Sequence, residues 1–143
     1  MATFTKINDF VEHMAEKKHN LGSDQLVVAL SNTAPGAETH DPTTDGYGVL
    51  ANVTQVSYTN LSSRNITTSA SAQASGTYKL TLTDLTLTAS GAVATFRYVY
   101  IYNDTATNDE LICLYDYGSS ITMATGETFL IDFDGTNGLL QIA

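Results

Sequence analysis

The stretch 96–119, FRYVYIYNDTATNDELICLYDYGS, decides the fold. Phe96, Tyr98, Tyr100 and Tyr102 stand at every second position, Val99 and Ile101 fill the places between, and Arg97 is the only charge among them. Alternation of period two is the signature of a strand, and a strand that is apolar on both sides belongs in the middle of a sheet covered on both faces. The Asn and Asp residues of NDTATNDE supply turn chemistry, and 111–117 reads as a second strand, so the segment predicts a long hairpin. Each ring buried there contributes about 1.5–3 kcal/mol, and each Tyr hydroxyl requires a polar partner or the water line.

Working outward, TYKLTLTDLTLTAS (77–90) sets Tyr78, Leu80 and Leu82 on one face and Lys79, Thr81 and Thr83 on the other. After Asp84 the apolar set continues one step out of phase at Leu85 and Leu87, which calls for a bulge or a tight bend. GSSITMATGETFLIDFDGTNGLLQIA (118–143) predicts a short strand at Ile121, a turn at Gly126-Glu127, a strand through Phe129, Ile131 and Phe133, a DGTNG turn, and a last strand from Leu139 to Ile142. Between 49 and 76 small and polar residues dominate, and the weak alternation there predicts short edge strands. Eight or nine strands with regular turn signals and no intervening helices predict a mainly β chain, an antiparallel β-sandwich or jelly roll spanning 49–143.

Upstream, Phe4, Ile7, Phe10, Val11, Met14 and Leu21 recur at helical spacing, with Glu12, Glu16, Lys17 and Lys18 on the opposite arc. This predicts an N-terminal amphipathic helix over 3–21, started by Thr3 or Thr5, ended by Gly22, and docked through its stripe either on the sheet or on a partner. QLVVALS predicts a buried strand over 25–32, and both prolines, Pro35 and Pro42, fall in the long loop 33–48 that follows. A loop of that length suits a partner-gripping arm. The candidate partner-binding residues are therefore Phe4 and Phe10 on the stripe and Pro35, His40, Asp41, Pro42 and Tyr47 in the arm.

With 143 residues the chain fits one domain that can bury an ordinary core without disulfide or metal staples. Hydrophobic residues make up 43%, charged residues 15%, and roughly one residue in six is Thr, whose branched Cβ suits a pleated surface. A net charge of −9 repels bare phosphate backbones and favours partners with basic surfaces, so no nucleic-acid partner is expected. No apolar run reaches membrane-spanning length and the first residues lack the pattern of a secretory signal, so the expectation is a soluble chain made in the cytoplasm, with no membrane partner.

Catalytic and metal-binding patterns are weak. His13, His19 and His40 are the histidines, and the first two are six apart, not the three or four that would align ligands on a helix. Cys113 lies in an apolar run and reads as a buried, inert thiol. Asp132, Asp134 and Gly135 resemble a calcium loop only superficially, because the Gly and closing Glu of an EF-hand are misplaced, and a β-turn fits better. Asp109, Glu110 and Asp116 would serve as a glycosidase-type pair only at the separation that chemistry requires. No catalytic residue, cofactor or metal is therefore assigned.

Three segments, INDFVEHMAEKKHNLGSDQLVVALSNTAP, GTYKLTLTDLTLTASG and the run from Phe96 to Leu140, together resemble small β-rich structural proteins of tailed bacteriophages. The resemblance implies a non-enzymatic virion component, foremost a capsid decoration or cement protein on the outer capsid surface. Its implied partners are the major capsid protein or other virion proteins and further copies of itself. A neck, tail or fibre-attachment component is the alternative. A carbohydrate-binding sandwich at a receptor-binding tip, with Tyr47, Tyr115 and Tyr117 as stacking platforms, is a further one.

Overall fold

The computed structural model describes residues 2–36 and 48–143. They form a mainly β, antiparallel structure: β1 (Thr3–Lys6), α1 (Phe10–Ala15), β2 (Leu26–Ser31), β3 (Asn65–Ile66), β4 (Thr68–Ala74), β5 (Thr77–Leu82), β6 (Leu85–Thr88), β7 (Val93–Asn103), β8 (Leu111–Met123), β9 (Thr128–Ile131) and β10 (Leu140–Ile142). The strands make a five-stranded sheet in the order β1-β8-β7-β2-β3, a three-stranded sheet β10-β5-β4 and the pair β6-β9. One contiguous hydrophobic core serves all three.

The aromatic strand is central, as its sequence requires. Tyr98, Tyr100 and Tyr102 lie opposite Ser31, Ala29 and Val27 of β2, while Val99 and Ile101 lie opposite Leu30 and Val28, so each face of β7 continues into its neighbour. On the other side Tyr98 to Ile101 pair in unbroken register with Asp116 to Cys113. All of these β7 residues are buried. The ladder then breaks between Phe96 and Tyr98, where β8 carries extra residues around Gly118, a glycine at φ +79° whose amide donates to Asp116 Oδ1. Beyond the break Phe129 of β9 receives Phe96 and Tyr117 edge-on, at centroid distances of 5.3 and 5.0 Å, which fixes the small β6-β9 pair against the hairpin.

The phase slip at Asp84 is a change of sheet. Leu80 and Leu82 are buried on β5, the chain bends at Thr83 and Asp84, and Leu87 is buried on β6 in a different sheet. Asp84 Oδ1 accepts from the Phe133 amide at 2.9 Å, pinning the bend. In the DGTNG turn Asp134 Oδ1 accepts from the Thr136 and Asn137 amides, as a turn-forming Asp should. The left-handed residue of this turn is Gly138 at φ +79°, where a Cβ would clash with the Leu80 carbonyl oxygen.

The N-terminal helix expected over 3–21 is replaced by two elements. Thr3–Lys6 is a strand paired with β8, and only Phe10–Ala15 is helical. Alternating Thr-Phe-Thr-Lys fits a strand as well as a helix, and pairing with β8 decides for the strand. Helix α1 ends because Lys17 takes φ +65°, with Lys17 N donating to Met14 O and Lys18 N to His13 O, so Lys17 rather than Gly22 closes it. Asp9, not Thr3 or Thr5, stands at its N-cap. Phe10 is 4% exposed, which places it in the core and corrects its assignment as a partner-binding residue.

The outer edge of β2 is closed in an unexpected way. β3 pairs only with Leu26 and Val27. Farther along, Tyr58 Oη accepts from the Leu30 amide at 3.1 Å and donates to Gln55 Oε1 at 2.6 Å, and Val56 N donates to Leu30 O. The Arg64 guanidinium donates to the Val28 carbonyl and lies 3.7 Å over the Tyr58 ring. Two side chains thus satisfy backbone groups that a strand would otherwise satisfy.

Tyr58→Phe and Arg64→Ala should each lower stability by about 1–3 kcal/mol, because each leaves a buried Val28 or Leu30 backbone group without its partner. In urea unfolding their effects should be non-additive, since both act on one edge; strict additivity would show the two contacts to be independent. Phe10→Ala should cost about 3–5 kcal/mol in the same assay, and an unchanged midpoint would return Phe10 to the surface.

Candidate functional site

Two regions gather the chemistry-bearing side chains of the described residues. The first is a buried polar knot where the end of β7 meets the segment after α1. Asn103 is fully buried and uses every polar atom of its side chain. Oδ1 accepts from the Thr105 and Ala106 amides, and Nδ2 donates to Asp24 Oδ2 at 2.6 Å and to His19 Nδ1 at 3.1 Å. Because Nδ1 of His19 accepts, the neutral ring carries its proton on Nε2. His19 lies against Phe10 and His13, with ring centroids 5.3 and 5.9 Å away. Neither His19 Nε2 nor His13 Nδ1 has a hydrogen-bond partner. Burial, reinforced by His13 and opposed by Glu110 and Asp24, lowers the His19 pKa to about 4.

The two histidines are brought together by the turn after α1, not by helical spacing. Among the described residues no three His, Cys, Asp or Glu side chains are placed to hold a metal ion. Glu110 is buried, and its carboxylate accepts from the amide and side chain of Asn108. Asp116 is held by Arg97 in a two-point contact of 2.7 and 2.9 Å, which lowers its pKa. Six residues along an extended chain put Glu110 and Asp116 about 20 Å apart, too far for a glycosidase pair. Cys113 is buried, and burial raises its thiol pKa.

The second region is the surface around β1. Phe4 is exposed and meets Tyr115 edge-on at 5.4 Å. Near Ala2 a groove of about 290 Å³ is lined by Tyr115, Tyr117, Leu130, Ile131 and Asp132. Near Lys6 a wider one of about 530 Å³ runs between α1 and β10, with Val11, Met14 and Ile142 on its walls. Burial raises the pKa of both Tyr115 and Tyr117.

Of the residues expected to bind a partner, Phe4 is thus at the surface, Phe10 is inside, and Pro35 is half-buried. His40, Asp41, Pro42 and Tyr47 lie outside the described residues. The sequence reading missed Lys6, Leu130 and Ile142 as surface features, and it placed Val11, now 56% exposed, only within the supposed helical stripe. Their only signal is an apolar or basic residue on the outward position of a short strand or helix, which is visible once β1 is known to be a strand. No helix among the described residues is long and apolar enough to cross a membrane. No family model matches the chain, and neither a curated protein nor a solved structure does.

His19 sets a pH dependence whose sign follows from its lowered pKa. The folded state binds the His19 proton only near pH 4 and the unfolded state near 6.5, so stability is fully present above 6.5 and is lost as pH falls toward 4. The full loss from this group is on the order of 3 kcal/mol. In urea unfolding at a series of pH values, His19→Gln should flatten the curve across that window relative to wild type. Parallel curves for the two proteins would show that His19 is not buried neutral.

Proposed function

We propose that the chain is a non-enzymatic structural component of a virion, foremost a decoration or cement protein of the capsid surface. The finer architecture belongs to the same reading: the β10-β5-β4 and β6-β9 sheets form the second layer of a jelly-roll-like sandwich over the five-stranded sheet. The observation that carries it is where the aromatic chemistry is spent. Tyr98, Tyr100, Tyr102 and Phe96, which would make a ligand-reading face if exposed, are all buried within a rigid central strand. What the described residues present outward is an open sheet edge, apolar grooves and acidic turns, which suits adhesion better than turnover.

The resemblance of the three segments to small tailed-phage proteins supplies the biological setting, and the acidity of the chain suits a place outside the packaged genome. A second reading, carbohydrate binding, is favoured by one observation: Tyr115 and Tyr117 line an open groove beside Asp132. Against it, both rings are half-buried and engaged edge-on by Phe4 and Phe129.

Quantitative mass spectrometry of purified particles of the encoding virus tests the proposal. A copy number that scales with the shell subunits is expected. A single ring's worth of copies would move the protein to the neck or tail, and its absence from intact particles would end the virion reading. Saturable glycan binding that Tyr117→Ala abolishes would favour the carbohydrate reading instead.

A further inference from the structure

Strand β1 is the outermost strand of the five-stranded sheet, and one of its sides faces no other strand of the described residues. Which of its backbone groups face that side follows from the register. Thr3, Phe4, Thr5 and Lys6 lie opposite Asp116, Tyr115, Leu114 and Cys113, and Ile7 N, next in the same register, donates to Ile112 O at 3.0 Å. Hydrogen-bonded pairs alternate along an antiparallel ladder, so Thr3, Thr5 and Ile7 turn their amides and carbonyls toward β8. Those of Phe4 and Lys6 point away from it. Natural edges are guarded by Pro, bulges, charges or shortness, and the four-residue Thr-Phe-Thr-Lys has neither Pro nor bulge and a single lysine.

The exposed large hydrophobics of the described residues all gather around this edge. Phe4, 43% exposed, lies on it; Leu130, 53%, borders the groove at the Ala2 end; Val11, 56%, and Ile142, 41%, border the groove at the Lys6 end. The two ends also differ in charge. Lys6 stands at one and Asp132 at the other.

We propose that this edge pairs with itself: β1 of one copy adds antiparallel to β1 of a second copy about a twofold axis, joining the two five-stranded sheets into one. The occupant is argued from charge. An antiparallel twofold lays the Lys6 end of each strand over the Ala2 end of the other, so Lys6 of each copy meets Asp132 of its mate, twice per dimer. The same operation sets the Val11 and Ile142 groove of one copy beside Leu130 of the other and brings the two Phe4 rings together at the axis. A chain of net charge −9 repels its own kind almost everywhere else on its surface, whereas here attraction is symmetric. The proposal adds a contact surface to the virion reading without depending on it, because it is tested on the isolated chain.

Sedimentation equilibrium on the full chain at micromolar to tens of micromolar concentrations should show a monomer–dimer equilibrium. Lys6→Glu and Asp132→Lys should each weaken it by about tenfold or more, through two opposed contacts turned repulsive. The double variant should recover most of the loss, and an equimolar mixture of the two single variants should form a mixed dimer, since both of its contacts are again opposite in sign. Circular dichroism melts check that each variant is folded, and Phe4→Asp, at an exposed position, should be a folded monomer. A wild-type chain that stays monomeric overturns the proposal. So does a dimer indifferent to both charge reversals and to Phe4→Asp.

Discussion

The rest of the structure depends on keeping β7 buried on both faces. A strand carrying Tyr98, Tyr100 and Tyr102 on one side and Val99 and Ile101 on the other has no solvent face, so a strand had to be paired on each flank and side chains laid over each face. The hydrophobic gain is large, and so is the obligation, because every tyrosine hydroxyl and every backbone group of the neighbouring strands must find a partner in a place water does not reach. The five-stranded sheet meets the obligation with ladder bonds where strands exist and with side chains where they do not.

Arg64 and Tyr58 are the clearest case. Strand β3 is two residues long, and the far half of β2 has beside it only single backbone contacts, from Val28 N to Arg64 O, from Val56 N to Leu30 O and an isolated bridge between Gln55 and Ser31. Tyr58 takes the Leu30 amide and Arg64 takes the Val28 carbonyl while lying over the Tyr58 ring, so a single cation touches both the edge and the ring that covers it. Lysine at 64 would lack the planar fork that lets one group do this. At the hairpin end of β7, Asn103 holds the turn amides on one side and His19 and Asp24 on the other, while Gln25 exchanges bonds with Asp104 and Thr105. The long hairpin is therefore tied at its loop to the beginning of β2, which is why the polar knot is internal and not a surface site.

How much of this was legible in the sequence depends on how local each cause is. The hairpin, β2 and the last strands follow from period-two patterning and turn residues, both of which act within a few positions, and there structure and expectation agree, except that the short strand expected at Ile121 is the continuation of β8 past Gly118. The slip at Asp84 was visible as a change of phase, yet its cause, a move from one sheet to another, is not contained in the segment. The N-terminal helix failed for two physical reasons. Four alternating residues at Thr3–Lys6 satisfy either period, and the helix end at Lys17 uses a left-handed lysine where sequence reasoning looks for glycine. Arg64 gave no signal at all, since a lone arginine in a polar stretch reads as solvated until the bare edge of β2 is placed beside it. The partner-binding set suffered from the same ambiguity: with Phe4 and Phe10 on one supposed helix they belonged together, and with Phe4 on a strand they separate into surface and core.

The two borders of the large sheet make an instructive contrast. At one, beyond β2, the chain commits an arginine and a tyrosine to satisfying backbone groups, with Gln55 accepting from the tyrosine hydroxyl, at the entropic cost of ordering these side chains. At the other, β1 presents Phe4 and Lys6 with no such provision among the described residues and with apolar grooves on either hand. Both borders belong to one sheet in one solvent, so a general tolerance of open edges does not account for the difference. An edge that needed no partner would be expected to carry the same kind of protection as its opposite. The asymmetry is therefore what the proposed pairing of β1 with a second copy would require, since a covered border needs no side chains of its own to satisfy it.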